Sequence, residues 1–316
     1  MEKVGFVFPG QGSQYVGMGR EVYETSPAAR AVFEQADKVL PVRMTEICFN
    51  GPSDTLNDTQ YAQPAILTVS VAYLEALHER MLVTGRRVEP VYVAGHSLGE
   101  YTALVAAGSL QFPDALQLVW ERGRLMKEEG ARRPGGMAAV IGLPAERLEN
   151  VVEEAQSEGV VVIANANSPV QTVISGEIAA LLKAMDLAKR EGAAKVARLA
   201  VSIASHSPLM QHAGAQLGQL ISGIKLADPI VPLVANITGQ VLTTADDIKR
   251  ELSEQLCKPV AWVDSVRGML ADGVTTFIEV GPGQVLTGLI KRISDDANVL
   301  RLEDLMRETR NEKRET

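Results

Sequence analysis

The 316 residues exceed the roughly 100–200 of one typical domain, and 46% apolar with 22% charged side chains describe a globular chain, not a disordered, collagen-like or coiled-coil one. With 39 acidic against 31 basic side chains the formal net charge is −8, the wrong sign for wholesale attraction to nucleic acid or anionic lipid. No apolar run approaches the roughly 18 residues that cross a bilayer, and Met1-Glu2-Lys3 leads directly into a strand-like run, so a cytoplasmic protein is expected that engages neither membrane nor nucleic acid.

The first strand is expected at Val4 to Phe8, apolar without alternation as in a sheet covered on both faces. Gly10-Gln11-Gly12-Ser13-Gln14 follows it. A dinucleotide fingerprint fails there, because Tyr15 stands where the third glycine is required, and no phosphate-binding G-x-x-x-x-G-K-[ST] loop exists. These glycines form either a plain tight turn or a loop that brings a backbone N–H to a reacting carbonyl.

A second strand, Val91 to Ala94, runs into Gly95-His96-Ser97-Leu98-Gly99 and then a helix from Leu98 to Ala107, closed by Gly108 at the position past its end. G-x-S-x-G between strand and helix is the setting of a nucleophile elbow, in which Ser97 is held in strained backbone geometry at a helix N-terminus; the alternative is a helix-capping serine. Charge, Gly and Pro between Glu128 and Gly136 read as a linker. Beyond it the pattern runs strand (137–141), helix (144–157), strand (160–164), strand (171–175), helix (177–191), strand (194–199), a β-α-β-β-α-β order of the ferredoxin-like kind. The return near Ala200 carries no comparable marker.

An unactivated serine needs a base. Leu199, Val201 and Ile203 alternate like a strand, and His206 follows them just before Ser207-Pro208, an N-cap with proline at N1. His206 is therefore expected on a strand-to-helix loop, where open α/β sheets place their sites. The other reading is a capping histidine. His78 and His212 fall in charged helical stretches, and His96 is expected to point away from Ser97. The histidines have no metal-binding spacing, and Cys48 and Cys257 read as separate free thiols. The chain closes with a strand (275–280), a Gly281-Pro282-Gly283 turn, a helix from Gln284, and a charged stretch from Glu303 to Thr316 expected to fray.

Phe8-Pro9-Gly10-Gln11-Gly12-Ser13-Gln14, Gln63-Pro64-Ala65, Gly95-His96-Ser97-Leu98-Gly99-Glu100, Arg122-Gly123-Arg124-Leu125-Met126, Asn167-Ser168-Pro169, Ser205-His206-Ser207-Pro208-Leu209-Met210 and Glu279-Val280-Gly281-Pro282-Gly283 together resemble the malonyl-CoA:acyl carrier protein transacylases. The resemblance spans about residues 3–295 and leaves out the charged tail. It implies an α/β-hydrolase-like catalytic domain (1–128 and 200–302) with a parallel sheet, an inserted ferredoxin-like domain (129–199) and a C-terminal extension (303–316). Residue by residue it implies Ser97 as acyl acceptor, His206 as its base without an acidic third member, and Gln255 near that histidine. The N–H groups of Gln11 and Leu98 become the oxyanion donors, Gln63 lines the pocket, and Arg122 receives the acyl carboxylate. Read from its residues alone, Arg122 is an exposed helical arginine paired with neighbouring acids.

No metal and no resident cofactor are implied. Malonyl-CoA is the donor, and the holo form of an acyl carrier protein, with its phosphopantetheine thiol, is the acceptor of a monomeric enzyme. Leu98 matches malonyl-preferring relatives, whereas Ser205 stands where many of them carry a bulky aromatic. Lys183, Lys189, Arg190, Lys195 and Arg198 are expected to form a docking face beside the cleft. An acyl hydrolase with the same Ser–His pair is the competing reading.

Overall fold

The apolar run at the start of the chain pairs on both sides, and this decides the architecture. The computed structural model describes residues 3–85 and 87–312, with side chains through 307; the charged start at Met1-Glu2 and the last four residues of the tail lie outside the described residues. Strand β1 (Lys3–Phe8) is followed by α1 (Arg20–Thr25), α2 (Pro27–Val39), α3 (Met44–Asn50), α4 (Ser53–Asn57) and α5 (Thr59–Thr84). Next come β2 (Tyr92–Gly95), α6 (Gly99–Ala106), α7 (Phe112–Arg132), β3 (Gly135–Ile141), α8 (Ala145–Ala155), β4 (Val161–Ser168), β5 (Gln171–Glu177), α9 (Ile178–Arg190) and β6 (Lys195–Arg198). The remainder is α10 (Gln211–Gly223), β7 (Leu233–Val234), β8 (Val241–Leu242), α11 (Ala245–Glu254), α12 (Trp262–Ala271), β9 (Val274–Glu279), α13 (Val285–Ile293), β10 (Asn298–Arg301) and α14 (Leu302–Glu312).

The first sheet has the order β10-β9-β1-β2-β7-β8, parallel except for β8 at its edge. Phe6 and Phe8 enter one apolar cluster and Val7 another, on the opposite face. This is why the strand reads as uniformly apolar. The register sets Phe8 beside Gly95, so the loops leaving β1 and β2 emerge side by side. Their contact is closer than side chains allow. A Cβ at Gly99 would lie 2.0 Å from the Phe8 carbonyl oxygen, and one at Gly95 would lie 1.9 Å from the Gly99 carbonyl carbon.

The second sheet is antiparallel with the order β4-β5-β3-β6, formed by the expected β-α-β-β-α-β succession. Helices α8 and α9 cover one face. The other face presents Met137, Ala139, Ala164 and Val173 toward the first sheet. No helix among the described residues is long and apolar enough to cross a membrane.

Four expectations change. The stretch from Glu128 to Arg132 is the end of α7, not a linker: Arg124 bridges Glu121 and Glu128, an i,i+4 pairing that extends the helix, and Glu129 is buried. Its glycines serve close packing, since a Cβ at Gly130 would meet Ile203 at 2.9 Å and one at Gly135 would meet Ala204 at 2.7 Å. Val201 and Ile203 belong to an irregular segment, because β6 ends at Arg198 and only Leu199 adds a further bond, to the Met137 carbonyl. The tail is helical through Glu312, with Leu302 buried, Leu305 and Met306 packed on the core and Arg307 paired with Glu21 and Glu303. Finally, Lys183, Lys189 and Arg190 lie on α9, which covers the face turned away from the first sheet, and Arg198 approaches Gly136 and Leu181 on that same side. Lys195 alternates to the other side of β6, so the five residues do not form one face beside the space between the sheets.

The glycine contacts carry a stability prediction. Gly99→Ala forces backbone against backbone and should cost about 1–3 kcal/mol or more, whereas Gly223, with open space around it at the end of α10, should tolerate alanine or gain about 0.5–1 kcal/mol. Thermal melts of the two variants should therefore move in opposite directions, by roughly 2–4 °C per kcal/mol for a chain of this size.

Candidate active site

Ser97 stands at the turn between β2 and α6 with φ of 51°, a left-handed conformation that non-glycine residues rarely adopt. Asn236, just after β7, clamps this turn: its Oδ1 accepts the Ser97 N–H at 2.6 Å and its Nδ2 donates to the Gly95 carbonyl at 2.7 Å. External hydrogen bonds thus hold the strained residue in place. The Ser97 hydroxyl lies 2.8 Å from His206 Nε2.

His206 is also left-handed, with φ of 58°, and buried. Its Nδ1 sits 2.9 Å from the Gln255 carbonyl oxygen and 3.1 Å from that of Lys258. Two carbonyl acceptors require Nδ1 to carry the proton, which leaves Nε2 as the acceptor for the serine hydroxyl. Among the described residues no carboxylate occupies the third position. Burial, and after it the charge of Arg122, pushes the imidazole down to about 3, so it is neutral at pH 7. Ser207 caps the following turn as expected, accepting from Leu209 N–H and donating to the Ala204 carbonyl.

Arg122 is not exposed. It falls among Leu118, Val119, Leu125 and Met126 on the buried stripe of α7 and retains 1% of its accessible surface. The neighbouring Gly123 lets α7 touch the backbone of α5, since a Cβ there would lie 2.7 Å from Gln60 Cα. The guanidinium donates from Nη1 to Gln63 Oε1 at 2.7 Å and from Nη2 to Gln255 Oε1 at 2.9 Å and Ser97 Oγ at 3.2 Å. Its Nε has no hydrogen-bond partner among the described residues. Among the described residues all its acceptors are neutral and no carboxylate forms an ion pair with it, so a buried cation faces Ser97.

Gln255 reaches further than a neighbour of the histidine. Its carbonyl holds His206, its Oε1 faces Arg122, and its Nε2 donates to the Ser97 carbonyl at 3.0 Å and to Glu100. Gln63, on α5, continues the network to Thr59, whose hydroxyl donates to the Gln11 side chain at 2.8 Å. Gly10, the residue before Gln11, comes close to the elbow across the two loops, for a Cβ there would fall 3.7 Å from Leu98 N, and Gln11 and Leu98 both line the cleft with Ser97. Among the described residues neither N–H donates to a protein acceptor. Every residue expected at the site is thus gathered around Ser97.

Three participants were not assigned in the sequence. Asn236 belongs to no motif. Glu100, fully buried, accepts from the Asn236 N–H at 3.0 Å; burial and then the Glu251 carboxylate push its carboxyl well up. His96 points away from Ser97 as expected, against Trp262, and donates from Nε2 to Asn167 Oδ1 at 2.8 Å, tying the elbow to β4. Polar residues in two quoted motifs, Glu100 and Asn167, were the available signal. A cleft of about 580 Å³ between the sheets opens onto Ser97, lined by β4, β5, α13 and the Leu199 to Ile203 segment. Ser205 also lines it. Helix α13 is anchored there by Glu279, whose carboxylate accepts from Leu286 N–H at 3.0 Å and Thr287 N–H at 2.8 Å.

The acyl transferase domain family matches residues 5–314, reaching into the C-terminal stretch that the motif resemblance leaves out. The malonyl CoA-acyl carrier protein transacylase of Bacillus subtilis is 43% identical over 305 residues, 96% of this chain and 94% of that protein. That of Escherichia coli is 42% identical over 295 residues, 93% of this chain and 94% of its own length. Among solved structures, the transacylase of Coxiella burnetii has a TM-score of 0.91 at 40% identity, covering 95% of this chain and 94% of that one. A malonyl-transacylase in complex with a type II PKS acyl-carrier protein gives 0.89 at 38% identity, covering 95% and 96%. With the match running through the strand, the elbow, Arg122 and His206 alike, the chain belongs to the acyl transferase domain family, and its relatives are malonyl CoA-acyl carrier protein transacylases.

Proposed function

We propose that the protein transfers a malonyl group from coenzyme A to the phosphopantetheine thiol of an acyl carrier protein through an acyl-serine intermediate. The observation that carries this reading is the buried Arg122 guanidinium, which faces Ser97 and is met only by neutral acceptors. An acyl group with a free carboxylate supplies the missing anion, and a guanidinium binds it through parallel N–H···O bonds. An acyl hydrolase would use the same Ser97–His206 pair, but nothing in that reading accounts for the cation. The transacylase relatives and the neighbour bound to its carrier protein support the choice of donor and acceptor.

In this mechanism His206 Nε2 takes the Ser97 proton as Oγ attacks the thioester carbonyl, and the Gln11 and Leu98 N–H groups receive the oxyanion. Collapse breaks the C–S bond. Coenzyme A leaves as a thiol with the proton from His206, and malonyl-serine remains. The carrier thiol then enters, gives its proton to His206, attacks the ester carbonyl and restores Ser97, whose oxygen recovers the proton. The two backbone carbonyls at Nδ1 orient the ring and favour the imidazolium formed in each step, the part a carboxylate plays in a triad.

The same reading treats the first sheet with its helices as an α/β-hydrolase-like catalytic domain and the second as a ferredoxin-like insertion. The continuity of α7 to Arg132 moves the first boundary to about residue 133. A cytosolic enzyme without a resident cofactor goes with this reaction.

Three outcomes test the proposal. Malonyl-CoA alone should load Ser97 covalently, as peptide mapping by mass spectrometry will detect, and Ser97→Ala should abolish the adduct; an adduct on the alanine variant removes Ser97 from the mechanism. Arg122→Ala strands a partly buried carboxylate, at roughly 3–5 kcal/mol. That is two to three powers of ten in kcat/KM for malonyl-CoA, at about 1.4 kcal/mol per tenfold. Acetyl-CoA has no carboxylate to strand, so the malonyl-to-acetyl ratio should collapse. Equal loss of both activities would count against the substrate assignment.

The third outcome concerns pH. The unfolded histidine accepts a proton below about 6.5, whereas the folded one holds out to about 3. The kcat/KM profile should therefore stay flat from pH 8 to about 5, without the limb near 6.5 of an ordinary histidine. Folding stability should fall as the pH drops from about 6.5 toward about 3, because only the unfolded chain binds the proton there.

A further inference from the structure

Glu100 lies in the first turn of α6 with none of its surface exposed, and no cation pairs with it among the described residues. Both of its oxygens receive N–H donors: Oε1 the Asn236 backbone, Oε2 the Gln255 side-chain amide. The second contact has a directional consequence. With Nε2 turned to Glu100 and to the Ser97 carbonyl, the oxygen of the Gln255 amide must face Arg122 Nη2, at 2.9 Å. A glutamine amide is nearly symmetric in shape, so its hydrogen-bond partners alone decide which end points where. Turned over, Gln255 would set its NH2 against the guanidinium and its oxygen against the Ser97 carbonyl.

We infer that Glu100 is a positioning residue for acyl-group selection: by accepting from Gln255 it keeps the amide oxygen on Arg122 and so holds the guanidinium at Ser97. This rests on Arg122 as the receiver of the acyl carboxylate. Glu100 touches no substrate in this role and acts through Gln255. The neighbouring buried Glu251 differs, since it accepts at 2.8 Å from the backbone N–H of Ile237, a bond that a glutamine side chain can also make.

The test is Glu100→Gln. Its NH2 has to face either the Asn236 N–H, which cannot turn, or Gln255 Nε2, which can. The second arrangement flips the Gln255 amide and displaces Arg122. The malonyl-to-acetyl ratio of kcat/KM should fall at least tenfold, mostly through malonyl-CoA, while Glu251→Gln leaves it within twofold. An unchanged ratio in a folded Glu100→Gln protein overturns the inference, as does an equal loss with both donors or an equal fall in Glu251→Gln.

Arg122→Ala run alongside separates the two levels. If that variant keeps the ratio, the carboxylate reading itself fails; if it collapses the ratio and Glu100→Gln does not, only the positioning role fails. In a Gln255→Met background there is no amide to turn, so adding Glu100→Gln should change the ratio less than twofold, the non-additivity expected of residues acting through one contact. A further tenfold fall there overturns the inference. This comparison still decides if Glu100→Gln alone does not fold, because the double variant lacks the donor-to-donor conflict.

Discussion

A guanidinium removed from water and, among the described residues, hydrogen-bonded to no carboxylate is the constraint around which the site is arranged. Taking such a cation out of solvent is expensive unless its donors find oxygens. Gln63 supplies one from α5, Gln255 another from just past the end of α11, and Ser97 a third. Each glutamine is then oriented from behind, Gln63 by Thr59 and Gln255 by Glu100 and the Ser97 carbonyl. Hydrogen bonding satisfies most of the donors, but the charge itself is not neutralised. A pocket of this kind favours a ligand that brings a negative charge and leaves an uncharged acyl group with nothing to offer in return.

The same cation acts on the histidine. Burial and the nearby positive charge keep His206 unprotonated, so its lone pair is available to Ser97 throughout the neutral range. Carbonyl oxygens at Nδ1 fix the tautomer without adding the full charge of an aspartate. Both members of the pair sit in left-handed backbone conformations that neither would keep alone. Asn236 bonds the elbow at two points, and the glycines flanking it allow β1 and α6 to close in until no side chain would fit.

Rigid elements carry this geometry across the cleft. Helix α7 runs unbroken from the core, where it holds Arg122, to the edge of the second sheet, and Gly130 and Gly135 press against the segment that leads to His206. The His96–Asn167 bond and the Glu279 anchor of α13 join the elbow and the cleft wall to the same frame. The Leu199 to Ile203 segment, with no strand of its own, can be shaped by these contacts and lines the opening.

Local sequence was sufficient for the parts governed by short-range physics. A strand apolar on both faces, two glycines around a serine at a strand-to-helix turn, and an N-cap serine before proline each express backbone sterics within a few residues, and β1, the elbow and the turn after His206 follow them. The succession of the second sheet was legible for the same reason, since its periodicities switch cleanly between 2 and 3.6. Arg122 could have been noticed as a charge inside the apolar stripe of α7, but a stripe does not say what faces it. The glycines near residue 130 misled because flexibility and close approach call for the same residue, and only the position of Ile203 and Ala204 distinguishes them. The charged tail misled because its partner Glu21 lies 286 residues away. Asn236, Glu100 and the carbonyls that replace a triad acid are long-range choices as well, made when strands remote in sequence pair and set backbone groups within hydrogen-bond reach of Ser97 and His206. The chemistry available to the chain was thus written in its local patterns, while the charge balance and orientation of that chemistry were decided by burial, which only the folded packing creates.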